Sequence, residues 1–128
     1  MFKLFAYGLL KSGHHFFEEK IQPSLVSSLE ATAVGDIYYL PNHGFPAMTE
    51  GKGTVHGELL EIKDDALLAE IDAYEDYFPN DTESSLYIRK AVEVTTKEGK
   101  KEKAYTYFMT IEKIVRAGGW RIESGRFK

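Results

Sequence analysis

The stretch IDAYED, residues 71–76, ends the clearest amphipathic helix in the sequence, which we predict over residues 64–75. Two aspartates begin this helix, as the positive end of a helix dipole favours. Three apolar side chains spaced by three or four residues share its buried face: Leu67, Ile71 and Tyr74. The helix therefore packs one side against a core and ends in a row of acidic residues.

Glu75 follows Ile71 by four residues, so it lies along the edge of the buried face in the last turn. Partial burial, the negative helix end and the carboxylates of Asp72 and Asp76 all favour a raised pKa for Glu75. Such a carboxylate can act as a general base near neutral pH. Taken alone, however, the helix favours the simpler interpretation that Glu75 points into water beyond the helix end.

Length and composition indicate one soluble globular domain over residues 1–128. Hydrophobic residues make up 43% and charged residues 28%, which is ordinary for such a domain. The 16 basic and 20 acidic residues give a net charge of −4, which argues against a nucleic-acid surface. No apolar run reaches about 18 residues, so no membrane span is predicted.

The expected location is the cytoplasm. The sequence contains no cysteine, which excludes disulfides and thiolate chemistry and is compatible with a reducing compartment. Residues 1–5 are too few for a signal peptide and indicate the first strand of the fold.

Alternating, aromatic-rich runs predict strands over residues 2–7, 29–40, 54–62, 86–96 and 103–110. Gly35-Asp36 is predicted as a bulge or bend, and Gly51-Lys52-Gly53 as a hairpin turn. Pro46 is expected to keep its short extended segment out of regular pairing, and Ser12 to cap a helix over residues 14–21. Because hairpins dominate, the predicted class is α+β: a small curled mixed β-barrel with flanking helices.

Metal and acyl-enzyme chemistry have no support in the sequence. The four histidines lack the HxH or HxxxH spacing of ligands on one face, and there is no cysteine to join them. No serine lies in a GxSxG nucleophile pattern. We therefore expect no metal site.

The turn Tyr7-Gly8-Leu9-Leu10 follows the first strand, and its backbone N–H groups could hold an anion, although a plain structural turn is the simpler interpretation. Tyr87 and Arg89 share a face of one strand, and Tyr105 and Tyr107 share a face of the next. These side chains form either a cross-strand aromatic pack or the wall of a polar pocket, with nothing in the spacing to decide between them.

The order of the motifs is more informative than any one of them. The chain carries Tyr7-Gly8-Leu9-Leu10, Gly35-Asp36-Ile37-Tyr38, Phe45-Pro46-Ala47, Val55-His56-Gly57-Glu58-Leu59, Ile71-Asp72-Ala73-Tyr74-Glu75, Tyr87-Ile88-Arg89, Ala104-Tyr105-Thr106-Tyr107 and Ile122-Glu123-Ser124-Gly125. This ordered set resembles the gamma-glutamylcyclotransferase-like family, which includes gamma-glutamylamine cyclotransferases and plant avirulence-induced homologues. Two positions depart from the family pattern: Leu9 replaces a serine or threonine, and Asp76 replaces a glycine.

The resemblance implies a cofactor-independent cyclotransferase, in which the free α-amine of a γ-glutamyl group attacks its own γ-carbonyl and releases 5-oxoproline. It implies Glu75 as the general acid/base. For such a reaction, the backbone N–H groups around Gly8, Leu9 and Leu10 suit the substrate carboxylate and the oxyanion. The candidates for the walls that bind the glutamyl chain are Tyr7, Tyr87 and Tyr107, of which the resemblance favours Tyr87. Arg89 either pairs with Glu75 and keeps it charged or has a structural role.

The implied partner is a small γ-glutamyl substrate, with no nucleic acid and no membrane, in a monomer or a homodimer. Leu9 and Asp76 keep a second interpretation open, a non-catalytic module of the same fold that binds an acidic metabolite. A third is removal of a γ-glutamyl group from an acyl-chain amine in a biosynthetic pathway.

Overall fold

The computed structural model describes residues 1–127. Its strands are β1 (Phe2–Ala6), β2 (Leu25–Leu40), β3 (Phe45–Ile62), β4 (Ile88–Thr96), β5 (Lys101–Phe108) and β6 (Trp120–Arg121). The helices are α1 (Leu67–Tyr74) and α2 (Ile111–Arg116), and a π-helical turn at Phe17–Ile21 runs into a 3-10 turn at Gln22–Ser24. None of the helices in this part of the chain has the length and apolar character needed to cross a membrane.

Five strands close into a barrel in the order β1, β3, β2, β4, β5. The first four neighbouring pairs are antiparallel, and the barrel closes where β1 meets β5 in parallel at Leu4 and Tyr105. The short strand β6 pairs with the outer end of β2. The predicted mixed barrel with flanking helices is therefore confirmed.

Two apolar clusters hold the fold together. One takes residues from all five barrel strands, including Phe5, Ile37, Val55 and Val94, and fills the barrel. The other joins the strands to α1, α2 and the π-helical turn through side chains such as Ile71. Because α1 is fixed by this second cluster, its C-terminal end has a defined position beside the barrel.

The predicted hairpin at Gly51-Lys52-Gly53 is wrong. These residues lie within β3, in an irregular segment opposite the bulge between Val34 and Asp36. A Cβ atom on Gly51 would lie 2.1 Å from the Asp36 carboxylate, and one on Gly53 would lie 2.6 Å from it. The glycines therefore make room for a side chain of the neighbouring strand and do not form a turn.

Two smaller expectations also fail. Pro46 lies inside β3, in register with Tyr39 on β2. Ser12 caps no helix, because its N–H and hydroxyl both donate to the carboxylate of Glu58, and the following helical segment is π-helical over Phe17–Ile21.

Candidate functional site

A largely apolar cavity of about 220 Å³ opens beside the end of α1. Its walls come from β1 and the turn after it, the start of β3, the end of α1, the residues entering β4, and β5. The structure brings together on this cavity all of the residues that the sequence assigned to a site: Tyr7, Gly8, Leu9, Leu10, Glu75, Tyr87 and Tyr107.

A Schellman motif ends α1 and sets the position of Glu75. The N–H of Asp76 donates to the carbonyl of Ala73 at 3.2 Å, and the N–H of Tyr77 donates to the carbonyl of Asp72 at 2.9 Å. Asp76 takes the left-handed position of the motif with φ 52°, where glycine is usual. Glu75 is the C-cap residue, so the turn of the chain leaves its side chain on the cavity wall.

The carboxylate of Glu75 has neither a hydrogen-bond donor nor a cationic partner among residues 1–127. Its residue is only partly accessible, and burial raises the pKa of Glu75 to about 8. Burial is the larger cause of this shift, and the charge of Asp76 is the smaller one. A carboxyl group with this pKa exchanges a proton readily near neutral pH, which is the property required of a general acid/base.

Three tyrosines form the wall of the cavity, and the protein itself accepts the hydrogen bond from each hydroxyl. Tyr7 donates to the carbonyl of Tyr107 at 2.7 Å and accepts from the N–H of Met48 at 3.1 Å. Tyr87 donates to the carbonyl of Pro46 at 2.6 Å, and Tyr107 donates to the carboxylate of Asp72 at 2.6 Å. The rings therefore line the cavity as rigid surfaces, and their hydroxyl protons are engaged in the scaffold.

The turn after β1 presents backbone to the cavity. The N–H of Lys11 closes it by donating to the carbonyl of Gly8 at 3.0 Å. Within the part of the chain that the structure describes, the N–H groups of Gly8, Leu9 and Leu10 donate to no protein acceptor. A Cβ atom on Gly8 would lie 2.8 Å from the ring of Pro46, so glycine allows the turn to approach the start of β3. Three adjacent N–H groups can bind an anion or a developing oxyanion.

Arg89 pairs with Asp72 and not with Glu75. Its Nη1 atom lies 2.6 Å from the Asp72 carboxylate, and its guanidinium lies over the rings of Tyr105 and Tyr77 at 4.8 and 5.5 Å from their centroids. The suggestion that Arg89 keeps Glu75 charged is therefore wrong. Asp72 is 8% exposed and is satisfied on both carboxylate oxygens, so it ties α1 to β4 and β5.

Sequence reasoning missed about half of the lining. The additional residues are Phe5, Ala6, Phe45, Pro46, Tyr74, Asp76, Leu86 and Thr106. Some of them carried a usable signal: Phe45-Pro46 lies in one of the ordered motifs, and Thr106 lies between two tyrosines already singled out. Nothing local marked Phe5, Ala6 or Leu86, because their place on the cavity depends on how the barrel closes.

Comparison with known structures shows the same fold. The AIG2-like protein from Mus musculus has 22% identity and a TM-score of 0.68, covering 85% of this chain and 77% of that one. YkqA from Bacillus subtilis has 22% identity and a TM-score of 0.66, covering 98% of this chain but only 39% of that one. A structure described as a gamma-glutamyl cyclotransferase has 22% identity and a TM-score of 0.64, covering 85% and 66%.

A search of curated proteins found no match. The family model described as gamma-glutamyl cyclotransferase, AIG2-like matches residues 4–128, which is nearly the whole sequence. With the shared fold, this match shows that the chain belongs to the gamma-glutamyl cyclotransferase, AIG2-like family.

Proposed function

We propose that this protein is a cyclotransferase that converts a γ-glutamyl amine or γ-glutamyl amino acid into 5-oxoproline and the free amine. The observation that supports it most directly is the carboxylate of Glu75, which has no protein partner among residues 1–127 and a pKa of about 8 on the wall of an apolar cavity. Family membership supports cyclotransferase chemistry in general. The substrate and the residue roles are our proposal.

The reaction needs a base that later acts as an acid. The α-amino nitrogen attacks the γ-carbonyl carbon, and a proton passes from this nitrogen to the Glu75 carboxylate. Glu75 then gives the proton to the leaving nitrogen as the bond between that nitrogen and the γ-carbon breaks. The amine leaves with this proton, so Glu75 ends in the ionised form in which it started.

The developing oxyanion and the α-carboxylate of the substrate both need donors. In our proposal these are the backbone N–H groups of Gly8, Leu9 and Leu10. Because these donors are backbone N–H groups, the turn can bind the substrate even though Leu9 replaces the serine or threonine of the family pattern. The side chain of Leu9 then contributes only apolar surface to the cavity.

Ring closure requires a flexible glutamyl chain to fold back on itself. The rigid rings of Tyr7, Tyr87 and Tyr107 can hold this folded shape, because their hydroxyls are already fixed by the scaffold. Holding the reacting atoms in contact can lower the activation free energy by several kcal/mol, as in intramolecular reactions.

The test is the release of 5-oxoproline from γ-glutamyl amino acids and from γ-glutamyl-ε-lysine. We expect Glu75→Gln to lower kcat by about a thousandfold, because the amide cannot accept the proton. Glu70→Gln is the matched control on the same helix: Glu70 is exposed and lies 3.8 Å from Lys20, so this variant should keep the wild-type rate. Full activity of Glu75→Gln would show that another group transfers the proton.

One observation favours a second candidate function. Leu9 provides no hydroxyl, and the hydroxyls of Tyr7, Tyr87 and Tyr107 donate to the protein itself, so none of these side chains is free to donate to a transition state. A non-catalytic module that binds an acidic metabolite would show a raised melting temperature with γ-glutamyl compounds or 5-oxoproline, but no product from any of them. Detection of 5-oxoproline would exclude this candidate.

A further inference from the structure

The rim of the cavity carries a carboxylate that the proposed reaction does not use. Asp76 lines the cavity, is exposed, and makes no side-chain hydrogen bond or ion pair among residues 1–127. The cavity lining contains two carboxylates, those of Glu75 and Asp76, and no lysine, arginine or histidine. The site is therefore negatively charged whenever these groups are ionised.

Local stability does not account for an aspartate at this position. Asp76 has φ 52° and is the one residue other than glycine with positive φ in the described part of the chain. Glycine would take this conformation without strain, and aspartate takes it at some cost. Asp76 also repels the charge of Glu75 beside it, which contributes to the raised pKa of Glu75. A strained residue that forms no compensating contact is a candidate for a functional role.

Cations on the neighbouring elements are already engaged. The guanidinium of Arg89 is held by Asp72, and the ammonium of Lys113 donates to the carbonyl of Ser85. Neither residue lines the cavity. The charge of Asp76 is therefore not neutralised by these cations and can interact with a ligand at the rim of the cavity.

The cavity has a closed end and an open end. Phe5, Ala6 and Thr106 are buried and form its floor, whereas Tyr74 and Asp76 are exposed and lie at its rim. The glutamyl group is common to all substrates of the proposed reaction and has to be held tightly for ring closure. The proposed function therefore requires the glutamyl group in the enclosed part, with the leaving amine extending past the rim.

We infer that Asp76 is a specificity-determining residue, which favours substrates whose leaving amine carries a positive charge and disfavours those whose leaving amine carries a negative charge. The inference rests on the proposed cyclotransferase function. It deepens that function by assigning the charge of the leaving group to one side chain. Because Asp76 is exposed, its effect is moderate and is screened by salt.

The experiment uses three γ-glutamyl amides with leaving groups of similar length and different charge: butylamine, 1,4-diaminobutane and 4-aminobutanoate. For the wild-type protein, we expect kcat/KM to be highest for the cationic amide, intermediate for the neutral one and lowest for the anionic one. Asp76→Asn keeps a side chain that tolerates the left-handed conformation and removes the charge. We expect it to reduce the ratio of cationic to anionic kcat/KM by about fivefold.

Asp76→Gly separates charge from strain. It also removes the charge but relieves the backbone, so the charge model requires the same reduction in the ratio as in Asp76→Asn. The wild-type ratio should also fall as salt is raised, whereas the ratio in either variant should change little. Unfolding curves of both variants verify that the protein is folded.

The results distinguish a failure of the inference about Asp76 from a failure of the proposed cyclotransferase function. If 5-oxoproline forms and the ratio is the same in wild type and Asp76→Asn, the inference about Asp76 is wrong and the proposed function stands. If wild type forms no 5-oxoproline from any of the three amides, or from γ-glutamyl-ε-lysine, the proposed function fails and the inference fails with it.

Discussion

Asp72 and Glu75 lie three residues apart at the end of α1, carry the same functional group, and have opposite surroundings. Asp72 is buried with Arg89 on one oxygen and the hydroxyl of Tyr107 on the other. Glu75 faces an apolar cavity with no protein partner among residues 1–127, and burial raises its pKa to about 8. One carboxylate is held by two side-chain partners, and the other has none in the described part of the chain and is free to gain and lose a proton.

The difference between the two carboxylates comes from their partners more than from their depth. Arg89 is the cation that the sequence suggests as a partner of Glu75, and its guanidinium is instead paired with Asp72. If Arg89 instead paired with Glu75, its charge would lower the pKa of Glu75 and weaken it as a base at neutral pH. The ion pair between Asp72 and Arg89 therefore leaves Glu75 without a cationic partner among the residues that the structure describes, while it anchors the helix.

The prediction with the largest expected effect concerns the carboxylate of Glu75: the proposed activity should depend strongly on pH. Since the pKa of Glu75 is about 8, only about 1% of the free enzyme has an ionised base at pH 6. We expect kcat/KM to be about 100-fold below its plateau at that pH and to rise through pH 8. The measurement is 5-oxoproline release between pH 5 and 10. A profile that is flat across pH 6–8 would contradict the raised pKa.

Asp72→Asn should have the largest effect on stability. The substitution leaves the Arg89 guanidinium without its counter-charge in a partly buried position, so we expect a loss of about 2–4 kcal/mol in the free energy of unfolding. Urea denaturation measures this loss. Glu70→Gln breaks an exposed pair with Lys20 and should cost less than about 0.5 kcal/mol. If the two variants lost the same free energy of unfolding, the Asp72–Arg89 pair would stabilise the fold no more than the exposed Glu70–Lys20 pair.

Glu75→Gln should increase the free energy of unfolding, whereas Asp72→Asn should decrease it. The folded-state pKa of about 8 lies above the ordinary value of 4.5, so between these pH values the folded state holds a proton that the unfolded chain has released. Wild-type stability therefore falls as pH rises through this window, and the glutamine variant is free of this loss. Above pH 8 we expect the variant to be more stable than the wild type, and near pH 4 the two proteins should be equally stable.

Asp76→Gly has the smallest expected effect. Glycine takes the left-handed position without strain, and we expect a gain of about 0.5–1 kcal/mol in the free energy of unfolding. Gly99→Ala is the matched reverse change, because Gly99 has φ 87° and a Cβ atom there would contact nothing. It should lose a similar amount. A loss of stability in Asp76→Gly would show that the Asp76 side chain makes a stabilising interaction in solution.

The features that the sequence predicts well are those that depend on neighbouring residues along the chain. Alternation gives most of the strands, and the bulge at Gly35-Asp36 follows from a glycine within such a run. The end of the helix at Glu75 is predicted to within one residue. The place of Glu75 along the buried face of the helix and the acidic Asp76 beside it also indicate the direction of its pKa shift.

Features that depend on side chains far apart in the sequence are not predictable in this way. Gly51 and Gly53 suggest a hairpin, and only the position of Asp36 across the sheet explains them. The partner of Arg89 depends on which strand lies over α1. The gathering of the site residues was expected from the order of the motifs and not from any local pattern, because it requires β1 and β5 to be neighbours.

The parallel contact between β1 and β5 also has a consequence for how the chain folds. The hydroxyl of Thr106 donates to the carbonyl of Phe5, and that of Tyr7 donates to the carbonyl of Tyr107, so the first strand is held by residues about a hundred positions later. Contacts of such sequence separation form late and slowly, because a long loop has to close before they do. The cavity shares these residues, so it exists only after the two ends of the barrel have met. During synthesis, a nascent chain therefore has no site until β5 has left the ribosome, and ligand binding reports the completion of folding.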